Sequence, residues 1–170
     1  MRELGSAVNP PGGINTVKTN EIIRDCRQSL HLDAAQVAAA ADISTAAYRD
    51  IELYEDEAFA VTNLRSLRSI CYVLGLNLFS LFQIENSDAG TTDPVIESSS
   101  QPRNALLAMR RKDLGFSPTQ LGDAIGFEPI AIEQMENDPD FLEGWSLELI
   151  ARLAATLQLP MKALLGVSRP

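Results

Sequence analysis

One stretch of this chain occurs twice, and that repetition limits what the chain can fold into. Residues 32–52, LDAAQVAAAADISTAAYRDIE, align without a gap on residues 116–136, FSPTQLGDAIGFEPIAIEQME. Apolar residues recur at the same seven places: Leu32/Phe116, Val37/Leu121, Ala41/Ile125, Ile43/Phe127, Ala47/Ala131, Tyr48/Ile132 and Ile51/Met135. Gln36/Gln120, Ala40/Ala124 and Glu52/Glu136 are identical. Asp33 or Ser117 opens each copy, and such side-chain oxygens accept from the free N–H groups of a first helical turn. Val37 and Ala41, like Leu121 and Ile125, are four apart and share a helix face. Asp42 and Gly126 stand where the chain has to turn sharply, and both tolerate positive φ. Ala38 and Gly122 are small where two helices cross closely. The pattern predicts helix, tight turn, helix, twice over.

Beyond the turn, Leu64, Leu67, Ile70, Leu74 and Leu76 in NLRSLRSICYVLGLNLFSLF predict two further helices. Leu147, Ile150, Leu153, Leu157 and Leu159 repeat the spacing in SLELIARLAATLQLPMKALL. On these residues each copy resembles the helix-turn-helix domains of the Cro/lambda-repressor (Xre) family, a five-helix DNA-binding unit. The resemblance covers roughly residues 20–83 and 103–166. It implies an all-α fold of two five-helix lambda-repressor-like domains joined by a polar linker. The expected organisation is an N-terminal arm at 1–18, a first domain at 19–83, an acidic linker at 84–102 and a second domain at 103–170. The offset between copies is 84 up to Glu52/Glu136 and 83 from Leu64/Leu147, so one extra residue lies between Glu52 and Leu64.

The formal net charge of −9 sits awkwardly with that resemblance. Non-specific affinity for DNA comes from neutralising phosphates with Lys and Arg, so an acidic chain needs a local basic patch. Residues 84–102 carry acids and no base; they read as a linker, with an ordered strap across the two copies as the alternative. Cys26 and Cys71 lack a CxxC spacing and read as buried free thiols. His31, the only histidine, reads as a helix-terminal residue. No apolar run reaches the ~18 residues of a membrane span, and the start lacks a secretory pattern, so a cytoplasmic location is expected.

The first helix, from Asn20, is expected to place Ile22, Ile23, Cys26 and Leu30 inward and to turn Arg24 and Arg27 away. The third helix, capped by Ser44, corresponds to the one that enters the major groove in the family. Its early exposed positions here are Thr45, Ala46 and Arg49, and only Arg49 has the fork that pairs with guanine. In the second copy Arg110, Arg111 and Lys112 form the one basic cluster, available to phosphate or simply solvated at a helix end. Its third helix instead offers Glu128 and Glu133, which repel phosphate. Family members commonly carry glutamine just after the cap of the second helix; here Ala34 and Pro118 stand there. Tyr54 and Phe59 in one loop, with Phe141 and Trp145 in the other, mark a surface for a partner or the closing of each small core.

Two readings follow. One is a DNA-binding transcriptional regulator whose tandem repeats act as a pseudo-dimer, touching duplex DNA through Ser44, Thr45, Arg49, Arg110, Arg111 and Lys112, chiefly in the first repeat. The other is an acidic scaffold for protein recognition, such as an antitoxin, immunity protein or DNA mimic. It would meet a basic partner through Tyr54, Phe59, Glu128, Glu133, Phe141 and Trp145. A homodimer is compatible with either. The chain shows no phosphate loop, metal-spaced cluster or nucleophile motif, so no enzyme, cofactor or metal is expected.

Overall fold

Gln36 and Gln120, identical in the two copies, do the same work in each. The side-chain oxygen of Asp33 or Ser117 accepts from the amide of the glutamine, at 2.8 and 3.1 Å. The glutamine Oε1 accepts in return from the amide of the capping residue, at 2.8 Å in both. This reciprocal cap satisfies donors that a helix start otherwise leaves unpaired. A computed structural model describes residues 19–84 and 102–166; the arm, the linker interior and the last residues lie outside the described residues.

Within those residues the fold is all-helical. The first copy comprises α1 (Thr19–Ser29), α2 (Ala34–Ala40), α3 (Thr45–Leu53), α4 (Leu64–Leu74) and α5 (Leu78–Leu81). The second comprises α6 (Arg103–Asp113), α7 (Pro118–Ile125), α8 (Pro129–Asn137), α9 (Leu147–Thr156) and α10 (Met161–Leu165). All seven aligned apolar pairs share a burial class, so each copy packs the same faces. Ile23, Val37, Tyr48, Ile51, Leu67 and Ile70 are fully enclosed, and so are their counterparts Leu107, Leu121, Ile132, Met135, Ile150 and Leu153. Burying each such side chain contributes about 1.5–3 kcal/mol.

The backbone repeats as closely as the core. Left-handed residues occur as four equivalent pairs: His31/Gly115, Asp42/Gly126, Gly75/Gln158 and Gln83/Gly166. In each pair one copy has glycine and the other manages without it. The sharp turn expected at Asp42 and Gly126 is there, with φ of 55° and 81°.

The extra residue between Glu52 and Leu64 is also located. In the first copy the link from α3 to α4 is a single π-helical turn, Glu57–Val61, closed by Thr62 N–H donating to the Glu57 carbonyl at 2.9 Å. In the second it is a 3₁₀ turn, Phe141–Gly144, closed by Trp145 N–H donating to the Leu142 carbonyl at 3.1 Å. A wider turn absorbs one residue while leaving the flanking helices in place.

The two copies pack on each other. α4 lies against the 3₁₀ turn of the second copy, and α9 lies against the π turn of the first, so the contact exchanges equivalent elements. At its centre Asn63 and Ser146, which occupy equivalent positions before α4 and α9, form an isolated antiparallel bridge. Leu64 N–H donates to the Trp145 carbonyl at 2.8 Å across this join. Equivalent residues paired on each other are the signature of an approximate two-fold relation. The buried apolar side chains accordingly run as one continuous cluster through both copies.

Candidate nucleic-acid interface

Ser44 is exposed and starts α3, its Oγ accepting from Ala47 N–H at 3.0 Å. Thr45 is half-buried, while Ala46 and Arg49 are exposed on the outer face of the helix. Arg49 makes no ion pair or side-chain hydrogen bond among the described residues. Its acidic neighbours in sequence therefore do not pair with it directly, and its fork is open to an incoming group.

α3 is held from behind by an arginine expected to face water. Arg27 turns inward from α1 and meets Glu52 with two parallel bonds, Nε to Oε1 at 2.6 Å and Nη2 to Oε2 at 2.9 Å. Its Nη1 donates to the Leu32 carbonyl at 2.9 Å. One guanidinium thus ties α1, the approach to α2 and the end of α3 together. Hydrogen bonding to Glu52 raises the Arg27 pKa against the opposing cost of burial. Tyr48, packed beside the pair, has its phenol pushed up by burial and then by the Glu52 carboxylate.

The second copy builds the same clamp, and this corrects the expectation for Arg111. Arg111 is buried, and it bonds Glu136 through Nε and Nη2 and the Phe116 carbonyl through Nη1. A guanidinium so committed offers nothing to a phosphate. Arg110 is also spoken for. Its Nε donates to the Leu157 carbonyl at 3.0 Å and its Nη2 reaches Gln158 at 3.4 Å. Cys26, the counterpart of Arg110, donates its thiol to the equivalent Leu74 carbonyl at 3.0 Å. Both side chains satisfy a carbonyl left free where α9 or α4 ends, a place that favours a cation. Of the basic cluster, only Lys112 stays exposed and unpaired among the described residues.

α8 presents a face of opposite sign. Glu128, at its start, makes no capping bond, and Glu128, Ile130 and Glu133 are all exposed. Tyr54 is exposed. Phe59 and Trp145 are not: both are buried at the join of the two copies. Phe59 tilts against Phe82, with centroids 6.2 Å apart. Trp145 stacks on Phe127 at 4.4 Å and takes the edge of half-buried Phe141 at 6.0 Å. These rings close the cores, while Leu53, Tyr54 and Val61 stay exposed around the π turn of the first copy.

Cys71 is a buried free thiol pushed up to about 12 by desolvation, and Cys26 is half-buried and free. Among the described residues no group of His, Cys, Asp and Glu is placed to hold a metal ion, and no helix is long and apolar enough to cross a membrane. Three charged residues that pattern reading passed over, Arg68, Arg103 and Glu143, meet at the join. No family model, curated protein or solved structure matches the chain, so the likeness named above rests on the residues themselves.

Proposed function

We propose that the chain is a tandem helix-turn-helix regulator of the Xre type that reads duplex DNA through α3 of its first copy, with the second copy acting as its built-in partner. The observation that carries this reading is Arg49, an exposed guanidinium without a partner among the described residues, on the outer face of a helix clamped by Arg27 and Glu52. A fork held on a rigid helix can bond the O6 and N7 of guanine together. Ser44 and Thr45 lie at the same end of α3, where a hydroxyl and free amides suit a phosphate. The second copy contributes shape rather than contact, since Arg110 and Arg111 are engaged internally. Its α8 carries Glu128 and Glu133, and like charges at 4 Å cost about 1 kcal/mol in water and about 4 at an effective dielectric of 20.

The exposed face of α8 favours a second reading, protein recognition, for that copy. Two carboxylates around exposed Ile130 suit a basic segment with one apolar residue. Selection of duplexes from a random pool by the full-length chain, beside a pull-down in which a basic protein is the expected competitor, separates the readings. Recovery of a sequence with a shared guanine-containing site supports the regulator. No enrichment at low salt, with salt-sensitive capture of a basic partner, supports the scaffold.

A further inference from the structure

The two faces of the join are related by the repeat but differ in chemistry. Where α4 meets the 3₁₀ turn, Glu143 lies between two arginines and spends one oxygen on each. Oε2 takes Arg68 Nε of the first copy at 3.2 Å, and Oε1 takes Arg103 Nη1 of the second at 2.8 Å. Side-chain exposures of 14% for Glu143, 24% for Arg68 and 16% for Arg103 place the triad largely out of water. The arginines also reach the end of α10, Arg68 to the Leu165 carbonyl and Arg103 to that of Leu164 at 3.4 Å. On the other face, where α9 meets the π turn, none of this exists. Ala151 stands at the place of Arg68 and Thr19 at that of Arg103, and neither Phe59 nor Ala60, opposite Glu143, is charged. Ala58, Phe59 and Ala151 are buried there.

We infer that Glu143 is a positioning residue, the clasp of a join that is apolar on one side and ionic on the other, and that it fixes how far apart and at what angle α3 and α8 are held. An apolar seat alone tolerates small rotations, because its attraction is non-directional. A carboxylate shared by two forks is directional and admits one arrangement. The clasp also makes the join selective. A first copy facing another first copy would oppose Arg68 with uncharged residues, and two second copies would oppose Glu143 with Ala151. Either mismatch leaves a desolvated charge one partner short, which disfavours like-with-like pairing. The consequence for DNA, a fixed place for acidic α8 beside the duplex that α3 reads, rests on the regulator reading; the clasp itself does not.

Hydrogen exchange on the full chain tests it, because the Leu64 amide bonds across the join to Trp145. In Glu143→Gln the Leu64 amide should exchange at least roughly tenfold faster, while amides inside α2 and α7 keep their wild-type rates, as local opening requires. Arg68→Gln should do the same, and the double variant should add little to either single change, as coupled residues do. Emission from Trp145, the only tryptophan, should shift red in parallel. An unchanged Leu64 rate in both variants would overturn the inference. So would a uniform rise at all amides, which would mark Glu143 as merely stabilising. If Glu143→Gln does not fold, Arg68→Gln, which leaves Glu143 with Arg103, decides by the same criteria. Failure of the wild type to bind any duplex would remove the regulator reading and leave the exchange result standing.

Discussion

Arg27 and Glu52 face each other as fork and carboxylate, with two bonds of 2.6 and 2.9 Å, and Arg111 repeats the arrangement with Glu136. The pair joins residues 25 apart in sequence, from the first helix of a copy to the last turn of its third. Removing one member strands the other in a mostly buried site. Glu52→Gln or Glu136→Gln is therefore expected to cost about 3 kcal/mol. Urea denaturation monitored by far-UV circular dichroism checks this, and a cost under ~1 kcal/mol would place the pair among surface bridges.

Gly122 tests the close approach inside the second copy. A Cβ added there would overlap the Phe127 carbonyl oxygen, part of the rigid turn rather than a flexible side chain. Gly122→Ala should destabilise by ~1–3 kcal/mol despite the better helix propensity of alanine. Ala38→Gly, at the equivalent place, should cost only the ~1 kcal/mol of a helical glycine. Thermal melts of the two variants give the comparison.

His31 and Gly115 make a second comparison. Both take positive φ at the end of the first helix of their copy, 55° and 75°. An L side chain is disfavoured there, so His31→Gly should stabilise by about 1 kcal/mol. A loss of stability would mean that the imidazole makes up for its backbone.

Glu57, in the π turn, supplies the pH dependence. Burial first, then Asp50 and Asp56, raise its carboxyl above the ordinary value of 4.5. The folded chain therefore binds this proton more tightly than the unfolded chain, and the group costs stability as pH rises from 4.5 through its folded value. Glu57→Gln should raise the Tm at neutral pH, with the gain shrinking to nothing below the unfolded carboxyl range. A gain independent of pH would argue against this cause.

The helices, their caps and their turns were legible because each rests on residues close in sequence. Asp33 with Gln36, Ser117 with Gln120, and the small residues Ala38 and Gly122 are local signals, and the structure places them as expected. The basic cluster misled for the opposite reason. Arg110, Arg111 and Lys112 look like a solvated helix end, yet the partners of the two arginines lie 25 and 47 residues away. One signal was available. Arg27/Arg111 and Glu52/Glu136 keep charge and identity at the same offset of 84, which a solvated face has no reason to do. The join had no such signal, because Glu143, Arg68 and Arg103 have no counterparts in the other copy. The buried Phe59 and Trp145 follow from that join, which seats these two rings inward.

On the regulator reading, Arg49 reads a base. Fluorescence anisotropy of the full chain on a selected duplex, comparing wild type with Arg49→Ala and with Glu128→Gln/Glu133→Gln, tests it most directly. Arg49→Ala should lose ~1–3 kcal/mol of specific binding, the worth of one bidentate base contact, while the paired glutamine variant should bind as well as wild type or better. Equal binding by wild type and Arg49→Ala would contradict the claim.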